Sequence, residues 1–519
     1  MNYGGNIRYG RVSVILWMLP MLISVQLSAY NQITSLQGGS HRITGSIYCS
    51  YFTGAVAGLA QFGNSVSSLS TDPVMAAVNP AALARIGAKR LCLEITPPFL
   101  FNLNGIYDVN PVIKDHIDDI KILQDDIIYP FIDLEGGQVG GLNTMAFSYP
   151  VSDRDNLGFS YHTPLLIDLD VIGNGMSGTF YDTDDGDTTR VALSGELYGK
   201  FKAGSHTLDI AYARKFSDRI AGGLALNIMN FTFNGDLALV IDGTIRRCGE
   251  DTDITKSFND PVDGANFRNT LNDSARCDVK GKIITATLGI NYLVSQRIML
   301  DFVLSLPSRK DLQGDFLLVK HSLGAVDIRG LTDEEVELLD QTQIEPSRMT
   351  YTNRTAYHSQ RINFQTAGKI ALAAGFSNSN LDVVISYEKP LRAWLLTFSS
   401  VVHEDGREKV GSEFENYDFN WEKTYELGLY VKNIYKLGMK FKKKDSQQKL
   451  VLGIQLFDVD TVIDNFSLKE KENIKPMKNL LIPSLNLGLE IPIYSNLLWN
   501  LNLISFPFPY FRISWQYDF

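Results

Sequence analysis

Long runs of strictly alternating polarity recur along the chain, and they limit its fold more than any other feature. Within 285–292 every even position is apolar and every odd position is Thr, Gly or Asn, and 484–491 alternates in the same way. Because successive side chains of a β-strand point to opposite faces, each run predicts a strand with one apolar face. The runs approach the roughly 9 to 11 residues of a tilted bilayer-spanning strand, whereas strands of soluble sheets usually have about 5 or 6.

The connections between these strands alternate between long and short. Fourteen strands are predicted, at 89–96, 140–150, 157–173, 206–216, 220–240, 282–294, 297–306, 361–376, 381–390, 425–442, 450–458, 480–493, 497–504 and 510–519. Connections such as 151–156 and 217–219 are short, and their neighbours 174–205 and 241–281 are long. Short turns at one end, long loops at the other and an even strand count are typical of an outer-membrane barrel. The predicted fold class is therefore all-β, a transmembrane antiparallel β-barrel of about 14 strands.

The strand boundaries leave the exact count open, so barrels of twelve or sixteen strands stay possible. In the fifth strand the apolar phase slips between Ile228 and Met229. We interpret this slip as a bulge or as the end of the strand.

The N-terminus has the pattern of a secretory signal peptide. Arg8 and Arg11 precede an apolar run over 12–27, and a small-residue site follows near Ala29. The alternative is a single membrane anchor, but a run broken by Pro20 is short for a helix that spans a bilayer in about 20 residues. No later segment has 18 consecutive apolar residues, so a membrane-embedded form of this chain must be a barrel.

Composition argues against several other classes of function. The net charge of −10, without a basic stripe, argues against nucleic-acid binding. The seven His residues are scattered, and no catalytic, nucleotide or metal motif is present, so the sequence predicts neither an enzyme nor a cofactor. The acidic run 182–187 begins like a calcium loop but lacks the distal Glu, which favours a solvated loop.

Cysteine positions suggest one cross-link. Cys248 and Cys277 both fall in the predicted polar loop 241–281. In an exported protein this pair could form a disulfide that closes the loop. The alternative is two free thiols.

One small-residue stretch, 54–86, fits neither a spanning helix nor the alternating strands. It contains an acidic residue followed by an Asn-Pro-Ala run, at Asp72, Asn79, Pro80, Ala81 and Leu83. Pro fixes its own φ and favours an extended residue before it, and an Asn in that place can cap a short helix. The sequence therefore predicts a compact, capped turn here.

This motif resembles the N-terminal signature of the FadL long-chain fatty-acid transporter superfamily, with Ala82 in place of the usual Gly and Val78 where an aromatic is common. The resemblance covers about thirty residues. It implies an N-terminal hatch that plugs a fourteen-stranded barrel, and a hydrophobic ligand that enters from outside and passes the hatch by diffusion. The chain is thus divided into a signal peptide (1–29), a hatch segment (30–88) and a barrel (89–519).

The C-terminus resembles the assembly signal of outer-membrane proteins, which has alternating aromatic residues and ends on an aromatic one. The matching positions are Phe511, Ile513, Trp515, Tyr517 and Phe519. The alternative is an ordinary edge strand. The resemblance implies that the barrel assembly machinery inserts this chain into the outer membrane of a Gram-negative bacterium.

Three functions are consistent with this sequence. The first is passive uptake of hydrophobic small molecules such as long-chain fatty acids, with outer-membrane lipid around the barrel. The second is a PorV-like subunit of a protein secretion or surface-attachment machine, which would bind secretion proteins through its loops. The third is a purely structural barrel.

Overall fold

A computed structural model describes residues 32–49, 65–104, 108, 110–111, 114, 127–138, 140–184, 187–248, 253–257, 271–321, 354–410, 413–442, 448–464, 478–505 and 510–519. The predicted signal peptide lies outside these residues. No helix in the described part of the chain is long and apolar enough to cross a membrane.

Almost all of the described chain is β-strand. The strands are β1 (Gln32–Gln37), β2 (Ser40–Cys49), β3 (Arg90–Thr96), β4 (Phe99–Asn102), β5 (Ile127–Ile128), β6 (Phe131–Gln138), β7 (Gly141–Pro150), β8 (Asp155–Asp184), β9 (Asp187–Lys215), β10 (Ile220–Cys248), β11 (Asp253–Ser257), β12 (Leu271–Ser295), β13 (Ile298–Ser305), β14 (Ser308–His321), β15 (Arg354–Thr366), β16 (Lys369–Ser377), β17 (Leu381–Pro390), β18 (Trp394–Val410), β19 (Glu413–Lys442), β20 (Lys449–Asp464), β21 (Lys478–Tyr494), β22 (Leu497–Ile504) and β23 (Tyr510–Asp518). Two short helical turns precede the barrel: the α-helix α1 (Met75–Val78) and a 3₁₀ helix (Pro80–Arg85).

The sheet closes into an antiparallel barrel of fourteen strands, as the sequence predicts. Closure comes from β23, which pairs with β3 between Asp518 and Arg90 at one end and between Ile513 and Ile95 farther along. Three of the fourteen strands are built from two consecutive pieces each, namely β13 with β14, β15 with β16, and β17 with β18. Strand β3 therefore begins, and strand β23 ends, on the side of the barrel that has the short turns.

The breaks within these strands lie side by side. Pro307 separates β13 from β14, and a proline has no N–H to give to a sheet. On the neighbouring strand, Gly368 has a φ of +57°, and a Cβ at that position would lie 2.4 Å from the backbone nitrogen of Pro307. Glycine is thus needed where the two breaks meet.

The N-terminal strands β1 and β2 are part of the wall. Near the short turns β7 pairs directly with β8, but farther along β2 lies between β6 and β8, parallel to β6 and antiparallel to β8. β1 continues this arrangement, and Gln32 pairs with Tyr181 near the long-loop end. The first part of the predicted hatch segment is therefore in the sheet, and residues 50–64 are outside the described chain.

The outer surface carries a belt of exposed apolar residues, and the edge of this belt nearer the long loops, here called its upper edge, is sharp. Towards the short turns, the exposed residues of β9 change from the charged Lys202 to the apolar Leu208, and those of β12 change from Lys282 to Ile284. The register aligns this edge across three strands, because Leu208 pairs with Ile228 and Ile228 pairs with Ile284. Such a belt is typical of barrels that contact lipid. The strands continue beyond it as an extension whose exposed residues are mostly polar or charged.

The strands are longer than the sequence predicts. β8 reaches Asp184 and β9 begins at Asp187, so most of the predicted loop 174–205 is a continuous hairpin. The pairing of β10 with β9 and β12 also runs through Ile228 and Met229 without a register shift, so the predicted bulge or strand end there is wrong. The apolar residues change from the outer to the inner face at this level, because the strand leaves the belt while its pairing continues.

The predicted disulfide between Cys248 and Cys277 is also wrong. Cys277 is a buried free thiol on β12 and pairs with Gly235 on β10. Cys248 lies about 13 residues farther along β10, a separation of about 40 Å in an extended strand, whereas the Cα atoms of a disulfide lie within about 7 Å. The two cysteines are close in sequence, but the long β10–β12 hairpin keeps them apart.

Deletion of residues 32–49 is expected to destabilise the wall, because it leaves the backbone edges of β6 and β8 without partners. We expect the barrel to form with a midpoint of heat modification on gels lower by several degrees, and β8 to become sensitive to protease. Retention of the full-length midpoint would show that the inserted strands add nothing to the wall.

Candidate functional site: the barrel interior

The segment 65–86, here called the lumenal segment, packs against the inner wall at the short-turn end of the barrel. Its fold follows from Asn79 and Pro80. Asn79 is extended, with φ −146° and ψ 90°, and Pro80 starts the 3₁₀ helix. The Asn79 side chain accepts a hydrogen bond from the Ala81 N–H at 3.2 Å. The capped turn predicted from the sequence is therefore confirmed.

The inner wall facing this segment is made of small residues. The buried cluster joins apolar residues of the segment to alanines of the wall, at Ala146, Ala211, Ala213, Ala221 and Ala225. Glycines make the closest approaches. A Cβ at Gly223 would lie 2.5 Å from the Pro80 carbonyl carbon, and one at Gly289 would lie 2.3 Å from Asn79 Oδ1. These two positions admit no side chain while the segment is seated.

A single carboxylate on the wall holds the segment. Asp301 on β13 is 3% exposed and accepts four hydrogen bonds. Ser68 donates its backbone N–H to Oδ2 at 2.9 Å, and its hydroxyl donates to Oδ1. Asn79 Nδ2 and Asn291 Nδ2 donate to the same Oδ1 at 3.1 and 2.9 Å. Hydrogen bonds to a charged, buried acceptor are among the stronger ones in proteins, so Asp301 is the main polar anchor of the segment.

Further bonds tie the end of the segment to the short turns. Asn156 on β8 donates through Nδ2 to the carbonyls of Leu83 and Ile86, at 2.8 and 2.9 Å. Arg85 donates through Nε and Nη2 to Asn291 Oδ1, and through Nη1 to the carbonyl of Asp218 in a short turn. The orphan carbonyls of the 3₁₀ helix thus find partners on the wall.

Asp72 stabilises the start of the segment. Its Oδ1 accepts the Val74 N–H at 2.9 Å, and its Oδ2 lies 3.5 Å from the Cys92 thiol, which donates to it. Burial raises the pKa of the Asp72 carboxyl, and the Val74 and Cys92 bonds together with the charges of Arg90 and Lys440 oppose that rise. The Asp72 carboxyl is therefore tied to the segment through Val74 and to the wall through Cys92.

The interior changes character above the segment. A cluster of buried, mostly apolar side chains lies inside the extension of the barrel, at Phe231, Cys277, Val279, Ile283, Leu312, Phe316, Tyr357, Ile362, Phe364, Leu396, Phe398, Val402 and Tyr425. Phe231 stacks on Phe364 with ring centroids 4.6 Å apart, and Phe316 lies 4.8 Å from Phe398. We call this set the aromatic cluster.

The structure separates the predicted site residues into two groups. Asp72, Asn79, Pro80, Ala81 and Leu83 are all buried in the lumenal segment. The residues of the resembled assembly signal lie on or just after β23, where Phe519 donates its N–H to the Lys89 carbonyl at 2.9 Å beside the closing seam. Their role in assembly stays a prediction.

The sequence did not reveal the role of Asp301, of Asn156 or of the two glycines that lie against the lumenal segment. Asp301 carried a usable signal, because it is a carboxylate at the centre of the otherwise apolar strand Ile298–Ser305. Gly223 and Gly289 gave no signal in the sequence, since small residues that point into the lumen are common in barrels of any kind. Within the described residues, no group of three or more His, Cys, Asp or Glu could hold a metal ion.

Comparison with known proteins gives a fold likeness only. No protein-family model matches the chain, and no curated protein matches it in sequence. Among solved structures, a Pseudomonas aeruginosa FadL homologue is 15% identical with a TM-score of 0.44, covering 90% of this chain and 99% of its own. The P. putida toluene transporter TodX is 10% identical with a TM-score of 0.47, covering 90% and 99%. The Ralstonia pickettii toluene transporter TbuX is 10% identical with a TM-score of 0.40, covering 89% and 98%.

The class of the protein is thus a closed fourteen-stranded antiparallel barrel with an apolar belt and a folded segment in its interior. Identities of 10 to 15% and TM-scores below 0.5 add no detail to that description, which rests on the strand pairing. The resemblance of the motif around Asn79 to the FadL superfamily stays a prediction.

Proposed function

We propose that this protein is an outer-membrane barrel for passive uptake of hydrophobic small molecules, long-chain fatty acids among them, and that the lumenal segment is its hatch. The observation that carries the proposal is the reversal of polarity at the upper edge of the belt. Above that edge most exposed outer residues are polar or charged, and the inner face is the aromatic cluster. A barrel that passes polar solutes has a polar, water-filled interior, so this lining favours an apolar cargo.

The arrangement supports a two-stage route. A hydrophobic molecule arriving from outside first meets the aromatic cluster, where burial of its apolar surface is favourable by about 25 cal/mol per Å². It then meets the lumenal segment, which blocks the short-turn end and is held by Asp301 and Asn156. Movement of that segment admits the molecule. The proposed mechanism is diffusion, with no catalytic step and no cofactor.

The test is uptake of a labelled long-chain fatty acid and of labelled toluene by cells that lack their own transporters. We expect uptake with the full-length protein, and additional leakage of polar solutes when residues 54–86 are removed. No uptake in either case would sink the transporter proposal and favour a secretion subunit or a structural barrel, neither of which any described contact supports.

The aromatic cluster gives a sharper variant. Phe364→Gln places an amide between Phe231 and Trp394, and we expect uptake of both labelled compounds to fall roughly tenfold, the equivalent of about 1.4 kcal/mol. Phe419→Gln is the matched control, because Phe419 is 58% exposed on the extension. Equal uptake by the two variants would contradict a role for the cluster in binding cargo.

A further inference from the structure

Two lysines lie on the outer face of β12 just above the upper edge of the belt. Lys280 and Lys282 are both exposed, and Lys282 is two positions from the belt residue Ile284. Their strand neighbours Val279 and Ile283 are buried in the aromatic cluster, so the two lysines point outward. Residues two apart on a strand lie about 7 Å from each other on the same face, so the lysines share one patch where the apolar surface ends.

Two arginines extend this patch over the next strands, because β14 pairs with β12 and with β15. Arg361 on β15 is exposed and precedes Ile362, which is buried in the aromatic cluster. Arg309 on β14 is exposed and pairs with Gln365, the residue after the buried Phe364. Both arginines therefore lie on the outer face. We call Lys280, Lys282, Arg309 and Arg361 the basic patch.

The basic patch differs from the other lysines of the outer face in its ion pairs. Within the described residues, none of its four cations makes an ion pair with a carboxylate. On β9, by contrast, Lys200 lies 3.6 Å from Asp170 and Lys202 lies 3.1 Å from Asp168. The charges on β9 are thus compensated by the protein itself, and those of the basic patch are not.

The carboxylates around the patch lie mostly on its far side. Asp311 on β14 is exposed at the level of the patch. Asp278 lies two positions farther from the belt than Lys280 and pairs with Asp315, which is 3.7 Å from His358 Nε2. An anion at the upper edge of the belt therefore meets four cations and one carboxylate, with the remaining acidic groups farther away.

Neutral hydrogen-bond donors adjoin the lysines on β10. Asn230 pairs with Lys282, and Thr232 pairs with Lys280, and both side chains are exposed. An amide and a hydroxyl can donate to the same oxygens that the ammonium groups attract. A phosphate has several acceptor oxygens and a negative charge, so it can use both kinds of donor at once.

We propose that the basic patch binds a phosphate group on the headgroup of a lipid whose acyl chains lie along the belt. The lipid belongs to the leaflet nearer the long loops. The inference rests on the proposed function for the position of the barrel in a membrane, and it is independent of the cargo. A free phosphate would use the cations alone, whereas a lipid also covers the apolar surface that begins at Ile284.

The test measures binding of diphosphoryl lipid A to the full chain in an uncharged detergent, by native mass spectrometry. We expect Lys280→Gln, Lys282→Gln to raise the Kd roughly thirtyfold, because each cation near an anionic lipid surface contributes a factor of about five. Lipid A from which both phosphates have been removed is expected to bind equally to the wild type and to this double variant.

Lys200→Gln, Lys202→Gln is the matched control, because it makes the same replacements two positions apart on the outer face of β9. It is expected to keep the wild-type Kd, since its lysines already have carboxylate partners. Equal Kd values for the wild type and the patch variant, or equal weakening by the two double variants, would overturn the site. Displacement of the lipid by excess inorganic phosphate would show a site for the free anion and overturn the assignment to lipid.

These outcomes are separate from those of the uptake experiment. A wild type that binds lipid A but takes up no labelled compound would lose the proposed uptake and keep the lipid site. A wild type that takes up the compounds but does not distinguish lipid A from its dephosphorylated form would lose the lipid site alone. All four replaced lysines are exposed, and heat-modified migration on gels checks that each variant forms the barrel.

Discussion

Replacement of Asp301 by alanine is expected to release the lumenal segment from the wall and make the barrel leak. The change removes the carboxylate that accepts four hydrogen bonds. The donors of Ser68, Asn79 and Asn291 stay buried but no longer have this acceptor. Breaking a buried charged network in this way costs about 3 to 5 kcal/mol. The penalty falls on docking of the segment, because the strand pairing around β13 is made by the backbone.

Leakage is measured as single-channel conductance in planar bilayers and as sensitivity of cells to large polar antibiotics. Asp301→Asn is expected to have an intermediate effect, since it keeps Oδ1, which takes three of the four bonds, and loses the charge and the bond from the Ser68 N–H. Asp218→Ala is the matched control, because Asp218 is exposed and Arg85 binds its backbone carbonyl. If Asp301→Ala conducted no more than this control, the anchoring role would be wrong.

The barrel could be predicted because the apolar belt imposes a pattern on the sequence. Where a strand crosses the belt, apolar and small or polar residues must alternate, as at 285–292, and the strand count followed from these runs. Beyond the belt this constraint ends. On β10 the outer residues become polar at Asn230 while the inner ones become apolar at Phe231, so the pairing continues although the pattern that revealed it does not. Most of the predicted loop 174–205, and the described parts of 241–281, are strands for this reason.

The lumenal segment could be predicted only in part. Asn79 and Pro80 fix their own local geometry, so the cap was visible in the sequence. The partner of Asn79 lies 222 residues away at Asp301, and nothing local joins the two. The same limit applies to Cys248 and Cys277, whose nearness in sequence is cancelled by a long hairpin. Contacts made across a barrel depend on register, which a single sequence does not give.

Substitution of Gly223 by alanine tests the fit of the lumenal segment independently of its polar anchors. A Cβ there would lie 2.5 Å from the Pro80 carbonyl carbon and 2.6 Å from the Ala81 nitrogen. Both are backbone atoms that cannot rotate away, so the segment itself must move. Overpacking of this kind typically costs about 1 to 3 kcal/mol. We expect a correctly closed barrel in which residues 65–86 are cut rapidly by protease and conductance rises.

Gly204→Ala on β9 is the matched control, because the nearest atom to a Cβ there lies 3.8 Å away, and it is expected to behave as the wild type. The pair of variants also separates two accounts of the segment. If it were a rigid part of the barrel, Gly223→Ala would prevent closure, and heat-modified migration on gels would be lost. If it is a separate body seated against the wall, migration is retained while conductance rises, which is the behaviour that a hatch requires. Retained migration with wild-type conductance would contradict both.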